Sequence, residues 1–185
     1  MSLLTESEVI RRSWSVSRAT NILKSTAAAQ TYDVFLSHSS NEPDEIIFGI
    51  KGYLEDANLS VYIDKVDDPQ LSPDNVTRET AEVLRVRMKS SKSLLYVYSR
   101  HSTKSRWMPW ELGYFDALKG SVGVLPVVQN SQNSFKGEEY LGLYPYADLH
   151  RTNQSQTRRL WINQSSTEYA DLFGWVKGTE KIRRR

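Results

Sequence analysis

Within Ser105-Arg-Trp-Met-Pro-Trp-Glu-Leu112, Trp107 and Glu111 stand four residues apart. On a helix, positions i and i+4 share a face, so the pair can present an aromatic wall and a carboxylate to one ligand. Pro109 suits the first helical turn, which places Glu111 just inside the helix. Spacing alone favours a plainer arrangement, in which Glu111 complements the helix dipole and Trp107 packs in the core.

Other chemistries lack their residues. The chain has no Cys, which removes disulfides, thiolate zinc sites and cysteine nucleophiles together, and its three well-separated His leave little for a metal site. No metal is expected. No G-x-G-x-x-G follows the first strand and no G-x-x-x-x-G-K-[ST] occurs, which disfavours a dinucleotide-binding dehydrogenase or a P-loop NTPase. Neither G-x-S-x-G nor H-E-x-x-H is present, and no two acids can be placed about one glycosidic bond. His38 follows the first strand and can either meet a ligand or serve as a hydrogen-bonded loop residue.

The elements that position these residues alternate. Tyr32-Asp-Val-Phe-Leu-Ser37 reads as a buried strand, and Ile46, Ile47, Ile50 and Leu54 mark a helix to about Ala57. Further strands are expected at Leu59–Ile63, Leu94–Tyr98, Val122–Val128 and Arg159–Asn163, with helices at about Val76–Lys89 and Trp107–Leu118. A last helix would hold Tyr169, Leu172, Phe173 and Val176, and residues 130–156 read as an irregular excursion. Five short strands alternating with helices indicate a parallel sheet covered on both faces. Ligands of such sheets sit beyond the carboxyl ends of the strands, which draws together Ser37–Asn41, Asp64–Asn75 and Ser99–Glu111.

With 185 residues, 39% of them hydrophobic, the chain can build one sizeable core. Its 24 basic and 22 acidic residues give a net charge of +2, no general push toward nucleic acid or anionic lipid. The charges segregate, however: Glu42–Asp68 holds eight acids against two lysines, and Arg78–Arg106 eight bases against two glutamates. These are either ordinary solvated faces or opposite patches on which copies dock. The longest mostly apolar run, Val122–Val128, falls far short of the roughly 20 residues of a membrane span. Glu6 and Glu8 stand where a secretory signal would be basic and then apolar, so a cytoplasmic protein is expected. Lys181–Arg185 reads as a frayed basic tail.

Four segments in order, Tyr32-Asp-Val-Phe-Leu-Ser-His-Ser39, Val61-Tyr-Ile-Asp64 before a Pro-containing loop, Tyr96-Val-Tyr-Ser99, and Ser105-Arg-Trp107 with Glu111-Leu112, resemble the successive motifs of the Toll/interleukin-1 receptor (TIR) domain. Each is weak alone; together, over residues 31–130, they are specific. The resemblance implies a five-stranded parallel flavodoxin-like sheet with helices on both faces. The expected organisation is a helical extension and linker (1–30), a TIR domain (31–178) and a basic tail (179–185), although residues 1–30 and 130–156 have no part in the resemblance.

The family contains signalling scaffolds and enzymes that cleave the nicotinamide–ribose bond of NAD, and the enzymes are similar to this chain at Trp-x-x-x-Glu. The resemblance makes Glu111 the catalytic carboxylate and sets Trp107 against the nicotinamide riboside. Phe35, Ser37 and His38 would form the wall after strand one, and Asp64 and Ser99 the neighbouring strand ends. NAD would be the substrate, with no cofactor besides. Ser39 and Ser40 stand where several enzymatic members carry basic residues, and Trp110 also departs from the pattern.

Nicotinamide leaves as a neutral ring, so one carboxylate that stabilises the developing ribosyl cation suffices in principle. Water then gives ADP-ribose, and an internal nucleophile a cyclic product. The expected protein is a prokaryotic TIR enzyme similar to those of Thoeris antiphage defence, self-associating through TIR–TIR contacts and signalling to a downstream effector through its nucleotide product. A mobile Asp64–Asn75 loop would dock on the basic 78–106 segment of another copy. The alternatives are a non-enzymatic TIR adaptor or effector acting by docking, and a plain flavodoxin-like nucleotide binder.

Overall fold

The computed structural model describes residues 2–16, 30–71, 77–130, 139–151 and 158–184. Five strands run parallel in the spatial order Val61–Tyr62 (β3), Tyr32–Ser37 (β2), Ser91–Tyr98 (β4), Val122–Val128 (β5) and Tyr146–Arg151 (β6). Counted from β2 this is the flavodoxin-like order 2-1-3-4-5, so the expected fold class is the observed one.

The fifth parallel strand differs from expectation. Tyr146–Arg151 supplies it from within the segment read as irregular, while Arg158–Asn163 (β7) runs antiparallel beside it. The six residues between them are too few for a crossover, which needs a dozen or more, so only a reversal is possible. Ala147 and Leu149 are buried within the strand, but Asp148 and His150 alternate with them and break the apolar run that would have signalled it. Glu168–Asp171 (β8) and Arg183–Arg184 (β9) continue the antiparallel extension. The expected last helix shortens to Leu172–Val176 (α6), capped by Asp171, whose side chain accepts from the Gly174 N–H, and Tyr169 lies in β8. Within the expected basic tail, Arg183–Arg184 form an edge strand, with Glu168 opposite Arg184.

Alternate residues of the strands feed two cores. Val34, Leu36, Leu95, Val97, Leu125 and Val127 meet the helix Asp44–Asp56 (α2) and α6. Phe35, Leu94, Tyr96, Val122 and Val124 meet the helices Arg78–Ser90 (α4) and Trp107–Lys119 (α5). A short helix, Asp64–Asp67 (α3), follows β3. Among the described residues no helix is long and apolar enough to cross a membrane.

The segment before the motifs enters both sheet and core. Leu4–Thr5 (β1) pairs with the end of β5, and Thr5 and Glu8 form a capping box that starts the helix Glu6–Ser13 (α1). That helix crosses α2 at Gly49, where a Cβ would come within 1.9 Å of the Val9 carbonyl oxygen. Residues 17–29, the remainder of the expected linker, lie outside the described residues.

Two carboxylates, one in the first motif and one just after the second, hold the scaffold. Asp33, at the start of β2, accepts from Lys177, Lys92 and the Ser60 N–H and hydroxyl. Burial opposes its charge, but these donors win and hold it well below the usual carboxylate range. Asp68 is 4% exposed and takes two bonds from Arg87, 2.7 Å from Nε and 2.9 Å from Nη2, and a third at 3.0 Å from the Tyr62 hydroxyl. The expectation of a mobile loop is therefore corrected for Asp64–Leu71: α3 orders its start, and Asp68 of the acidic segment is paired with Arg87 of the basic one inside the same molecule. Residues 72–76 lie outside the described residues.

Candidate active site

Ser37 ends β2, and the alternation of that strand points its side chain toward α5 while His38 follows in the loop. Helix α5 begins at Trp107 with Pro109 in its first turn, as the spacing predicts, and buries Met108, Glu111, Leu112 and Phe115. This face brings Glu111 over the end of β2, where Ser37 Oγ donates a 2.6 Å hydrogen bond to Glu111 Oε2. The carboxylate is 6% exposed and Ser37 1%. Burial pushes the Glu111 carboxyl up to about 7; the Ser37 hydrogen bond and the charge of His38 oppose the rise, and Asp64 adds to it.

His38 and Asp64 form the neighbouring pair. The imidazole Nδ1–H donates to the Ser39 carbonyl at 3.0 Å, which fixes the ring. Nε2 lies 2.8 Å from Asp64 Oδ1, an ion pair when the ring is protonated. Burial would lower the His38 pKa, but Asp64 overrides it and the pKa is raised. The Asp64 carboxylate is 41% exposed; burial opposes its charge, and His38 holds its pKa below the ordinary value.

The other residues nominated from the sequence are placed differently. Trp107 is half-buried and packs against the second core, edge-on to Trp110 with ring centroids 5.2 Å apart, and Trp110 stacks on Tyr114. Phe35 stands behind the strand end, 2% exposed and stacked on Tyr62 at 5.0 Å. Ser99 is buried at the end of β4, where its hydroxyl donates to Glu42 Oε2 at 2.5 Å. Ser37, His38, Asp64 and Glu111 thus form one electrostatic group, with Phe35 behind the strand end, Trp107 one turn before Glu111 on α5 against the second core, and Ser99 bound to the neighbouring loop.

Sequence reasoning missed Glu42. It stands among small polar residues just before Pro43, a signal of a loop, and nothing in composition tells a buried loop carboxylate from a solvated one. A cavity of 370 Å³ opens on the β4 side of α5, lined by Tyr96, Tyr98, Ser105, Pro109 and Tyr140 among others, and none of the nominated residues lines it. Among the described residues no group of three or more His, Asp or Glu could hold a metal ion.

The arrangement suits stabilisation of positive charge. Glu111 is a carboxylate in a water-poor setting, where its field on a developing cation is strong, and its pKa lets it ionise near neutrality.

Comparison with known proteins agrees in family. A profile described as TIR domain matches residues 34–161. The "Probable 3' cyclic ADP-D-ribose synthase ThsB'" of Bacillus cereus (strain MSX-D12) is 38% identical over 192 aligned positions, covering 96% of this chain and 99% of its own. The "Putative cyclic ADP-D-ribose synthase TIR2" of Cytobacillus dafuensis is 34% identical over 86 positions, 46% of this chain and 22% of its own. Among solved structures, the TIR domain of the Toll-related receptor TRR-2 from Hydra magnipapillata aligns at a TM-score of 0.44 and 20% identity, over 63% of this chain and 82% of its own.

Proposed function

The chain belongs to the TIR-domain family, and from there we propose that it cleaves the nicotinamide–ribose bond of NAD, with Glu111 as the catalytic carboxylate and a cyclic ADP-ribose-like compound as its signalling product. The observation that carries this reading is the buried Glu111 carboxylate held on Ser37 beside His38 and Asp64, at the carboxyl ends of the strands. The relatives named as cyclic ADP-D-ribose synthases support it, one of them aligned over nearly its whole length.

In this mechanism Ser37 holds Oε2 and leaves Oε1 for a ribose hydroxyl or the anomeric centre. The pyridinium nitrogen is positively charged in NAD, so substrate binding itself favours the ionised form of Glu111. As the C1″–N bond breaks, its electron pair leaves with nicotinamide and the positive charge passes to the ribose, beside the carboxylate. A hydroxyl of the adenosine ribose, or water, then attacks C1″, and its proton passes to Glu111, whose pKa of about 7 suits a transient acceptor. Trp107 covers the nicotinamide end, His38 and Asp64 set the local field, and Ser99 and Phe35 complete the wall. With Glu111 only 6% exposed, NAD enters by displacing side chains at the rim. No cofactor is required beyond the substrate.

The reading extends to a cytoplasmic protein of antiphage defence that assembles through TIR–TIR contacts and signals to an effector sensing the nucleotide product. Incubation of the purified chain with NAD, followed by mass spectrometry of the products, tests the core of it. Free nicotinamide with a cyclic ADP-ribose species is expected. No nicotinamide from protein that light scattering finds assembled would favour an adaptor that acts by docking alone.

A further inference from the structure

Glu42 joins the loops that follow β2, β3 and β4. Its side chain is 3% exposed and accepts the 2.5 Å bond from Ser99 Oγ. Its N–H donates to the Ser39 carbonyl at 2.9 Å, and its carbonyl accepts from Lys65 Nζ at 3.1 Å. Ser99 is anchored in turn: its Oγ accepts from the His101 N–H at 3.0 Å, its N–H donates to Ser102 Oγ at 3.1 Å, and Ser102 Oγ donates to its carbonyl at 2.8 Å. The next residue, Arg100, reaches Glu6 of α1 at 3.2 Å.

The place of this bond in the fold matters. Strands β3 and β4 lie on opposite sides of β2, so the chain reverses its progress across the sheet here, and the crevice between the ends of β2 and β4 is where open α/β sheets take ligands. The Glu42–Ser99 bond spans that crevice. Ser39, Glu42, Ser99 and Ser102 are each 4% exposed or less, so polar groups that satisfy one another fill the place that water would otherwise take. Ser37 and His38 lie immediately before this turn.

We propose that the Glu42–Ser99 hydrogen bond is a latch that closes the β2–β4 crevice beside Glu111, keeps water from the ribosyl cation and so directs NAD toward the cyclic product. This rests on the reaction proposed above. Once the C1″–N bond has broken with its electron pair on nicotinamide, C1″ forms one C–O bond, either to a hydroxyl of the adenosine ribose or to water. In both cases the proton of the attacking oxygen passes to Glu111. Closing the crevice lowers the access of water and leaves the internal hydroxyl in place. Glu42 touches Ser99 and not the reacting atoms, so it is a positioning residue.

Glu42→Ala, Glu42→Gln and Ser99→Ala test the latch through two readouts: amide hydrogen exchange over residues 38–42 and 99–104, and the ratio of linear to cyclic product from NAD by mass spectrometry. Glu42→Ala is expected to speed exchange in both loops and to raise the linear-to-cyclic ratio about tenfold, the scale of one lost hydrogen bond to a charged group. Glu42→Gln, whose amide oxygen still accepts from Ser99, should stay close to wild type; general loss of stability would lower total turnover without moving the ratio. Should Glu42→Ala fail to fold, Ser99→Ala removes the same bond from the other side at the loss of one oxygen and should move the ratio likewise. An unchanged ratio in both variants, or wild type that yields only linear ADP-ribose, overturns the proposal. Wild type that releases no nicotinamide sinks the reaction itself, and the exchange comparison then decides the latch: unchanged exchange in Glu42→Ala removes it.

Discussion

Ser37 and Glu111, 74 residues apart in the chain, are joined by a 2.6 Å hydrogen bond that fixes the first turns of α5 over the end of β2. The bond holds a nearly buried carboxylate at the mouth of the sheet, at a cost to folding whenever that carboxylate is charged. The catalytic proposal and the stability of the domain therefore meet in one side chain.

Glu111→Gln separates the two. Gln keeps the size and the acceptor for Ser37 but removes the charge, so nicotinamide release should fall at least about 10²–10³-fold while circular dichroism stays native. Equal turnover in the two proteins would remove Glu111 from the mechanism.

The same substitution should stabilise the protein, and only at higher pH. An unfolded Glu titrates near its ordinary value of 4.5 and the folded Glu111 near 7, so between them the unfolded chain has released a proton that the native one still holds. Stability from this group is full below about pH 4.5, declines as pH rises through the folded value, and is then lower by about 3 kcal/mol. Glu111→Gln should thus melt higher than wild type at pH 8 and alike at pH 4. A melting temperature lowered at both pH values would contradict the assigned burial cost.

Activity should carry the same signature with the opposite sign. In the proposed mechanism the free enzyme needs Glu111 ionised, so kcat/KM for NAD should rise with pH along a limb centred at about 7. His38→Gln takes away a positive charge that opposes the rise in the Glu111 pKa and leaves Asp64, which adds to it, so the limb should move to higher pH. A limb that does not move would show that His38 acts only through packing.

Trp107→Ala should raise KM for NAD more than it lowers stability. A fully buried Trp costs about 3–5 kcal/mol on truncation, but Trp107 is half-buried and has its edge-on contact with Trp110, so a loss of about 1–2 kcal/mol is expected. Chemical denaturation beside steady-state kinetics checks this, and near-complete unfolding would return Trp107 to the core.

Asp68→Lys should unfold the domain rather than report on docking between copies. It would strand the Arg87 guanidinium beside a second buried cation, and breaking a buried pair costs about 3–5 kcal/mol. Urea unfolding followed by fluorescence measures the loss. An Asp68→Lys protein of native stability that failed to assemble in light scattering would restore this loop as an interface residue.

Where apolar spacing was strong, the chain itself determined its local structure: β2, β4, β5, α2 and α5 form where their periodicity predicts, because each buries one face, or both, whatever its neighbours. The Trp107–Glu111 spacing and the place of Pro109 likewise put a carboxylate at the start of a helix beyond the strand ends. The burial of that carboxylate, its bond to Ser37 and the elevated pKa that follows were decided only by the packing of α5 on β2, since a sequence carries no measure of desolvation. The same holds for Glu42 and Asp68, ordinary loop acids by composition, which only long-range partners, Ser99 and Arg87, turn into buried structural groups. Tertiary structure also settled which strand closes the parallel set. Polar Asp148 and His150 hide β6 from any local pattern, while the direction of β7 depends on a short reversal whose consequence appears only when both strands lie in one sheet.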